Sequence, residues 1–216
     1  MRSLTRLLML LCVAWSGVVA AQGADKVFAI DGAASDVHWL VFKSGALARL
    51  GHNHVIAVPN LTGSVTVAAQ DLSASHFEFV MRVADLVIDD AQLRSGLGDD
   101  FASVPTAKDV EGTRHNMLTD RVLDGDKFPT IRVTGVGPLG AAGAQTLKLK
   151  IELLGRTVDL TVPTSLTVTD DHVEASGTFD LNHADLGMQP FTALMGALSV
   201  GEKMSFSYHI VARPAH

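Results

Sequence analysis

Cysteine is almost missing from this chain: Cys12 is the only one among 216 residues, and it falls in the amino-terminal leader described below. A mature chain without thiols forms no disulfide and offers neither a thiolate nucleophile nor a sulfur ligand. Positive charge is also scarce, with 17 basic against 23 acidic side chains and a net charge of −6. Arg2 and Arg6 belong to the leader, so the remainder carries 15 basic against 23 acidic groups, or −8. That balance argues against nucleic acid and anionic membrane surfaces as partners. Beyond the leader no stretch approaches the roughly 20 apolar residues of a spanning helix, so no membrane span is expected. A phosphate loop, a dinucleotide fingerprint and a nucleophile elbow are all lacking. Serine, histidine and aspartate occur, but no spacing ties them together, and the chain reads as non-enzymatic. Asp89, Asp90, Asp99 and Asp100 lack the regular ligand spacing of a calcium loop and read as a solvated acidic connection.

What is present begins with the leader. Arg2 and Arg6 precede the apolar run Leu7 to Ala21, which closes on Val19-Ala20-Ala21, small residues suited to a signal peptidase. Residues 1–21 are therefore expected to be a signal peptide cleaved near Ala21, with export to the periplasm. Leu11 is bulky where a lipid-attachment site needs a small residue, which argues against a lipoprotein built on Cys12. Residues 22–216 are expected to form a single domain. About 195 residues suffice for a sizeable core without disulfides.

Clean period-two alternation marks strands with one buried face. Phe77, Phe79, Met81 and Val83 oppose His76, Glu78 and Arg82, and Leu147, Leu149, Ile151 and Leu153 oppose Thr146, Lys148, Lys150 and Glu152. The same pattern holds over 173–181 and 203–210. Less regular windows at 26–30, 37–42, 55–58, 63–68, 128–136 and 157–168 bring the count to eight or more. Turn residues such as Pro59-Asn60, Leu154-Gly155-Arg156 and Asp170-Asp171 separate them by short links, which predicts consecutive antiparallel hairpins. Antiparallel strands with one apolar face each bury it by closing into a barrel, and a barrel of eight can hold one small ligand. The fold class is all-β, with one or two short helices. Those helices are expected between residues 90 and 124, where Thr106 and Asp109 form a capping box and Gly112 is a weak point. Residues 89–100 read as a mobile connection, and 190–195 as a short helical turn. Residues 37–42 are apolar on both faces around His38, which suggests that the helix or a second copy, as in a homodimer, covers one side.

Two imidazoles stand out in Arg49-Leu-Gly-His-Asn-His-Val-Ile56. Side chains two apart share a face of a strand, so His52 and His54 can act together beside Gly51. Imidazole can donate, accept or coordinate. One reading is a shared ligand or metal, with His115 or His183 as a third group; the other is a turn whose histidines bond to backbone. Zinc needs three or four such ligands and only the pair is local.

The order of several short motifs resembles the YceI-like family of exported, lipocalin-like barrels that bind polyisoprenoids. The motifs are Ile30-Asp31, Ser35-Asp-Val-His-Trp39, Asn116-Met-Leu118, Phe128-Pro-Thr-Ile131, Gly177-Thr-Phe-Asp-Leu-Asn182, Asp185-Leu-Gly187 and Val200-Gly-Glu-Lys-Met204. The similarity runs from about Val27 to Ala212. It implies an eight-stranded antiparallel lipocalin-like β-barrel whose cavity holds an isoprenoid lipid or quinone, with no other cofactor. This chain departs by carrying His183 where many relatives have arginine, and Gly51-His-Asn-His54 in the first turn.

An apolar cavity and a filled core look alike in sequence. On the cavity reading the wall is Trp39, Phe77, Phe79, Met81, Leu147, Leu149, Phe179, Met204, Phe206 and Tyr208, with Ala175 and Gly177 leaving room. A head group would then meet Arg49, His52, His54 and His183 at the mouth. The alternatives are a metal- or haem-associated envelope protein using His52, His54 and His115, and a structural or stress-related envelope protein with a filled barrel.

Overall fold

The strongest alternation, over 145–182 and 198–214, folds into the longest strands of one sheet. A computed structural model describes residues 23–140 and 145–215; the expected leader with Cys12, and His216, lie outside them. In chain order the strands are β1 (Lys26–Ile30), β2 (Asp36–Ser44), β3 (His54–Ala57), β4 (Thr62–Val67), β5 (His76–Arg82), β6 (Val87–Ile88), β7 (Thr130–Leu139), β8 (Gln145–Leu153), β9 (Arg156–Val168), β10 (Val173–Asn182), β11 (Thr192–Ala193) and β12 (Leu198–Pro214). Every predicted strand window overlaps one of these, although Val58, Ala68, Val83, Phe128 and Pro129 fall outside.

Neighbours run β1-β4-β5-β7-β8-β9-β10-β12, and β12 returns to pair with β1, closing a ring of eight antiparallel strands. The 17-residue β12 is the seam. One edge pairs with β10 from Val173↔Ala212 to Asn182↔Lys203. Its other edge takes β2 from Ser199↔Ser44 to His209↔Asp36, and then β1. Thus β1 and β2 are two halves of one barrel strand. β3 and β4 stand in the same relation, broken at Pro59-Asn60, where proline donates no ladder bond and Asn60 has φ 53°. β3 pairs with β2 and β6, extending the sheet at that end.

That end is closed by helix α2 (Ala107–Leu118), whose capping box of Thr106 and Asp109 is formed. The helix runs through Gly112, around which an added Cβ would meet nothing within 4 Å. Val110, Met117 and Leu118 pack on the main core with Ile56, Val83, Leu86 and Ile88. Arg114 fastens the helix by donating to the carbonyls of Ala84 and Leu86. A smaller core of Phe28, Val67, Val173 and Ala212 sits at the opposite end.

Two expectations need correction. Residues 89–100 are more than a connection: they form α1 (Ala91–Ser95) and run into a 3-10 turn at Asp99–Phe101, and although Asp90, Asp99 and Asp100 are exposed as expected, Arg94, Phe101 and the Asp89 side chain are buried. This segment lies on the outer face of β2 and β3. Phe101 meets Phe42 edge-on at 6.0 Å, and Val55, opposite Leu40, is fully buried. Phe101 therefore covers part of the second apolar face of β2, at Phe42. Secondly, the turn expected over 190–195 falls later, as a 3-10 turn at Leu194–Gly196 after β11.

Candidate functional site

The inner face is built by strand register. Trp39 on β2, Phe206 on β12 and Phe179 on β10 are directly paired neighbours, and their rings stack at 5.9 and 5.2 Å. Cross-strand aromatic pairs of this kind stabilise beyond their area. Phe77 and Phe79 on β5 stack at 6.1 Å. Phe77 lies over Gly135 on β7, where any Cβ would collide with its ring.

All ten expected wall residues, from Trp39 to Tyr208, line one cavity of about 240 Å³, counted as space open to the centre of a water molecule. One water needs only about 10–15 Å³ on that measure. Among the described residues the wall is apolar apart from Ser75, His76, His183, Ser207 and Tyr208, and no Asp, Glu, Lys or Arg contributes to it. Tyr208 donates to the Pro163 carbonyl at 2.8 Å, and burial pushes its phenol up from the ordinary value. Gly177 does not leave a void as expected: its missing side chain makes room for Tyr208, whereas Ala175 does line the cavity. Met117, Val122, Leu123, Leu186 and Met188 cap the cavity at the α2 end; Leu72, Ser75 and Val168 line the other end, where Leu72 is 46 % exposed.

Of the residues expected to meet a head group, His183 lines this cavity, whereas Arg49, His52 and His54 do not. They stand beyond the end that α2 fills. Arg49 is exposed in a short 3-10 turn. His52 approaches Ser103 at 3.4 Å and Asp109 of α2 at 3.8 Å. His54 bonds through Nδ1 to Asp89 at 2.7 Å. The two rings come together, 6.3 Å between centroids, but His115 is exposed on α2. Among the described residues no three His, Cys, Asp or Glu side chains group to hold a metal ion.

The histidine corner instead anchors the outer segment. Asp89 accepts from His54, the Val55 amide and Arg94 at 2.6 Å, and its side chain is 1 % exposed. Burial by itself pushes this carboxyl up, but the His54 hydrogen bond and charge, the Val55 amide and Arg94 together outweigh it and hold it below the ordinary value. Arg94 also donates to the carbonyls of Asn53 and Ser103, and Asn53 to that of Asp100. Reading by alternation missed this network, because one turn of helix has no period to detect. The available signal was Asp90, which caps the good helix formers Ala-Gln-Leu-Arg by accepting from Leu93.

With the closed barrel and its cavity described, comparison with known proteins is decisive for the family. Residues 28–212 match the YceI-like domain family. The chain belongs to that family. Among solved structures, this YceI-like chain is similar to BcnA of Burkholderia cenocepacia, with a TM-score of 0.60 at 12 % identity, covering 85 % of this chain and 99 % of that one. It is also similar to a polyisoprenoid binding domain from Saccharophagus degradans implicated in plant cell wall breakdown (TM-score 0.57, 11 % identity, 87 % and 98 % covered). A YceI protein of Campylobacter jejuni aligns with a TM-score of 0.52 at 8 % identity, covering 74 % and 85 %. At these identities the likeness shows the fold. No curated protein sequence matches. No helix among the described residues is long and apolar enough to cross a membrane.

Proposed function

We propose that this YceI-like chain is an exported binding or carrier protein for an amphiphile with an isoprenoid tail, a polyisoprenoid or an isoprenoid quinone, held in the barrel cavity. It would act in the periplasm once the leader ending at Val19-Ala20-Ala21 is removed. The observation that carries this reading is an apolar cavity on whose wall no Asp, Glu, Lys or Arg stands among the described residues. The solved relative described as a polyisoprenoid binding domain supports it. A tail burying several hundred Å² of apolar surface gains on the order of 10 kcal/mol before association costs, at about 25 cal/mol per Å². Tail burial alone then drives binding, and polar groups set orientation. The role in this reading is binding rather than catalysis, in keeping with the solved relative described as a binding domain.

Native mass spectrometry and organic extraction of protein purified from its own host test the reading. An isoprenoid lipid is expected to co-purify, and the stripped protein is expected to take up quinone. Protein that arrives without lipid and ignores quinone would count against it.

A further inference from the structure

His183 is the one buried imidazole on the cavity wall. It opens the 3-10 turn His183–Leu186 after β10, and 5 % of it is exposed. Its Nδ1 lies 2.9 Å from the Glu202 carbonyl. A carbonyl only accepts, so Nδ1 bears a proton and donates. In the neutral ring that tautomer leaves Nε2 as a lone-pair acceptor. Nε2 has no hydrogen-bond partner among the described residues. Every fully buried polar side-chain atom among them does have one, so Nε2 is not fully buried, and the residue that carries it lines the cavity.

The surroundings narrow what can meet this nitrogen. Among the described residues no Lys or Arg lines the cavity to balance a phosphate or carboxylate, and a buried unpaired charge is costly. An ether, an ester or a quinone carbonyl would set lone pair against lone pair. A hydroxyl satisfies both sides.

We infer that His183 receives the head of the ligand: Nε2 accepts a hydrogen bond from an O–H group, so the cavity selects a prenyl alcohol or a prenylated hydroquinone over the ether or quinone of the same tail. This rests on the lipid-carrier reading above. His183 stands with Met117 and Leu186 at the α2 end of the cavity, so the head goes in first and the tail runs toward Leu72.

The test uses the stripped mature protein and the emission of Trp39, which lies on the cavity wall. Geranylgeraniol is titrated against its methyl ether, and a prenylated hydroquinone against its quinone without oxygen. The wild type should bind the donor of each pair about fivefold to tenfold more tightly, the worth of one hydrogen bond. His183→Leu should erase the difference while still binding the ether. A preference confined to the alcohol pair assigns a prenol, and one shown by the hydroquinone as well assigns the hydroxyl in general. Nitrogen NMR gives a readout without substitution, and decides alone should His183→Leu fail to fold. The Nε2 resonance should move upfield with the alcohol and stay put with the ether. Equal affinities in the wild type, a preference that survives His183→Leu, or an unmoved Nε2 would overturn the inference and leave the carrier reading standing. If neither ligand of either pair binds, both fall.

Discussion

The inside of the barrel and the outside of its β2–β3 corner solve opposite problems. Inside, stacked rings and aliphatic side chains surround a space lined by no Asp, Glu, Lys or Arg among the described residues. Outside, residues 91–101 are held by a buried charge cluster, in which Asp89 takes bonds from His54, Val55 and Arg94. Apolar contact is non-directional, so the wall suits a flexible occupant of many shapes. Hydrogen bonds and ion pairs demand particular geometry, so the corner holds one loop in one place.

Arg94→Ala should break the comparison hardest. Asp89 and Arg94 are 1 % and 5 % exposed, and removing one partner of such a buried pair costs about 3–5 kcal/mol. Urea unfolding measures it, and Asp89→Asn combined with Arg94→Met should recover much of the loss. A sharper contrast comes from enlargement. Val55→Phe overpacks a fully buried site under the outer segment and should cost about 1–3 kcal/mol. Ala175→Phe adds bulk toward the cavity; the midpoint of unfolding should hardly move, while lipid uptake falls. Tyr208→Phe comes next: losing the bond to the Pro163 carbonyl should cost about 1 kcal/mol.

The mildest expected effect is in acid. Asp89 has a depressed folded value, so the folded state binds fewer protons than the unfolded chain near pH 4. Its contribution is complete above the ordinary carboxylate range and is lost as pH falls through the folded value. Unfolding midpoints followed downward from neutrality should therefore show a decline below about pH 4 that is smaller in Asp89→Asn.

Much of the barrel was legible because its signal is periodic. Phe77, Leu147, Leu149, Phe179 and Phe206 alternate with polar residues, and all five face the cavity. The helix at Thr106 was legible from its capping box, a local signal that survives without periodicity. Asp89 and Arg94 were not, since charged residues usually mark solvent, and their burial depends on partners far along the chain. His52 and His54 do come together, but which side of α2 they occupy was invisible to spacing. Gly177 was misread for a related reason: a missing side chain can mark a void or a neighbour's approach, and only the position of Tyr208 decides.

The long final strand has a consequence for assembly. Because β12 supplies the neighbour of β10 on one side and of β1 and β2 on the other, the ring has a missing stave until the last residues arrive. Joining Phe28 to Pro214 links the two extremes of the folded chain, the kind of distant pairing that makes closure slow. The barrel therefore cannot close before β12 is in place to join β10 to β1 and β2.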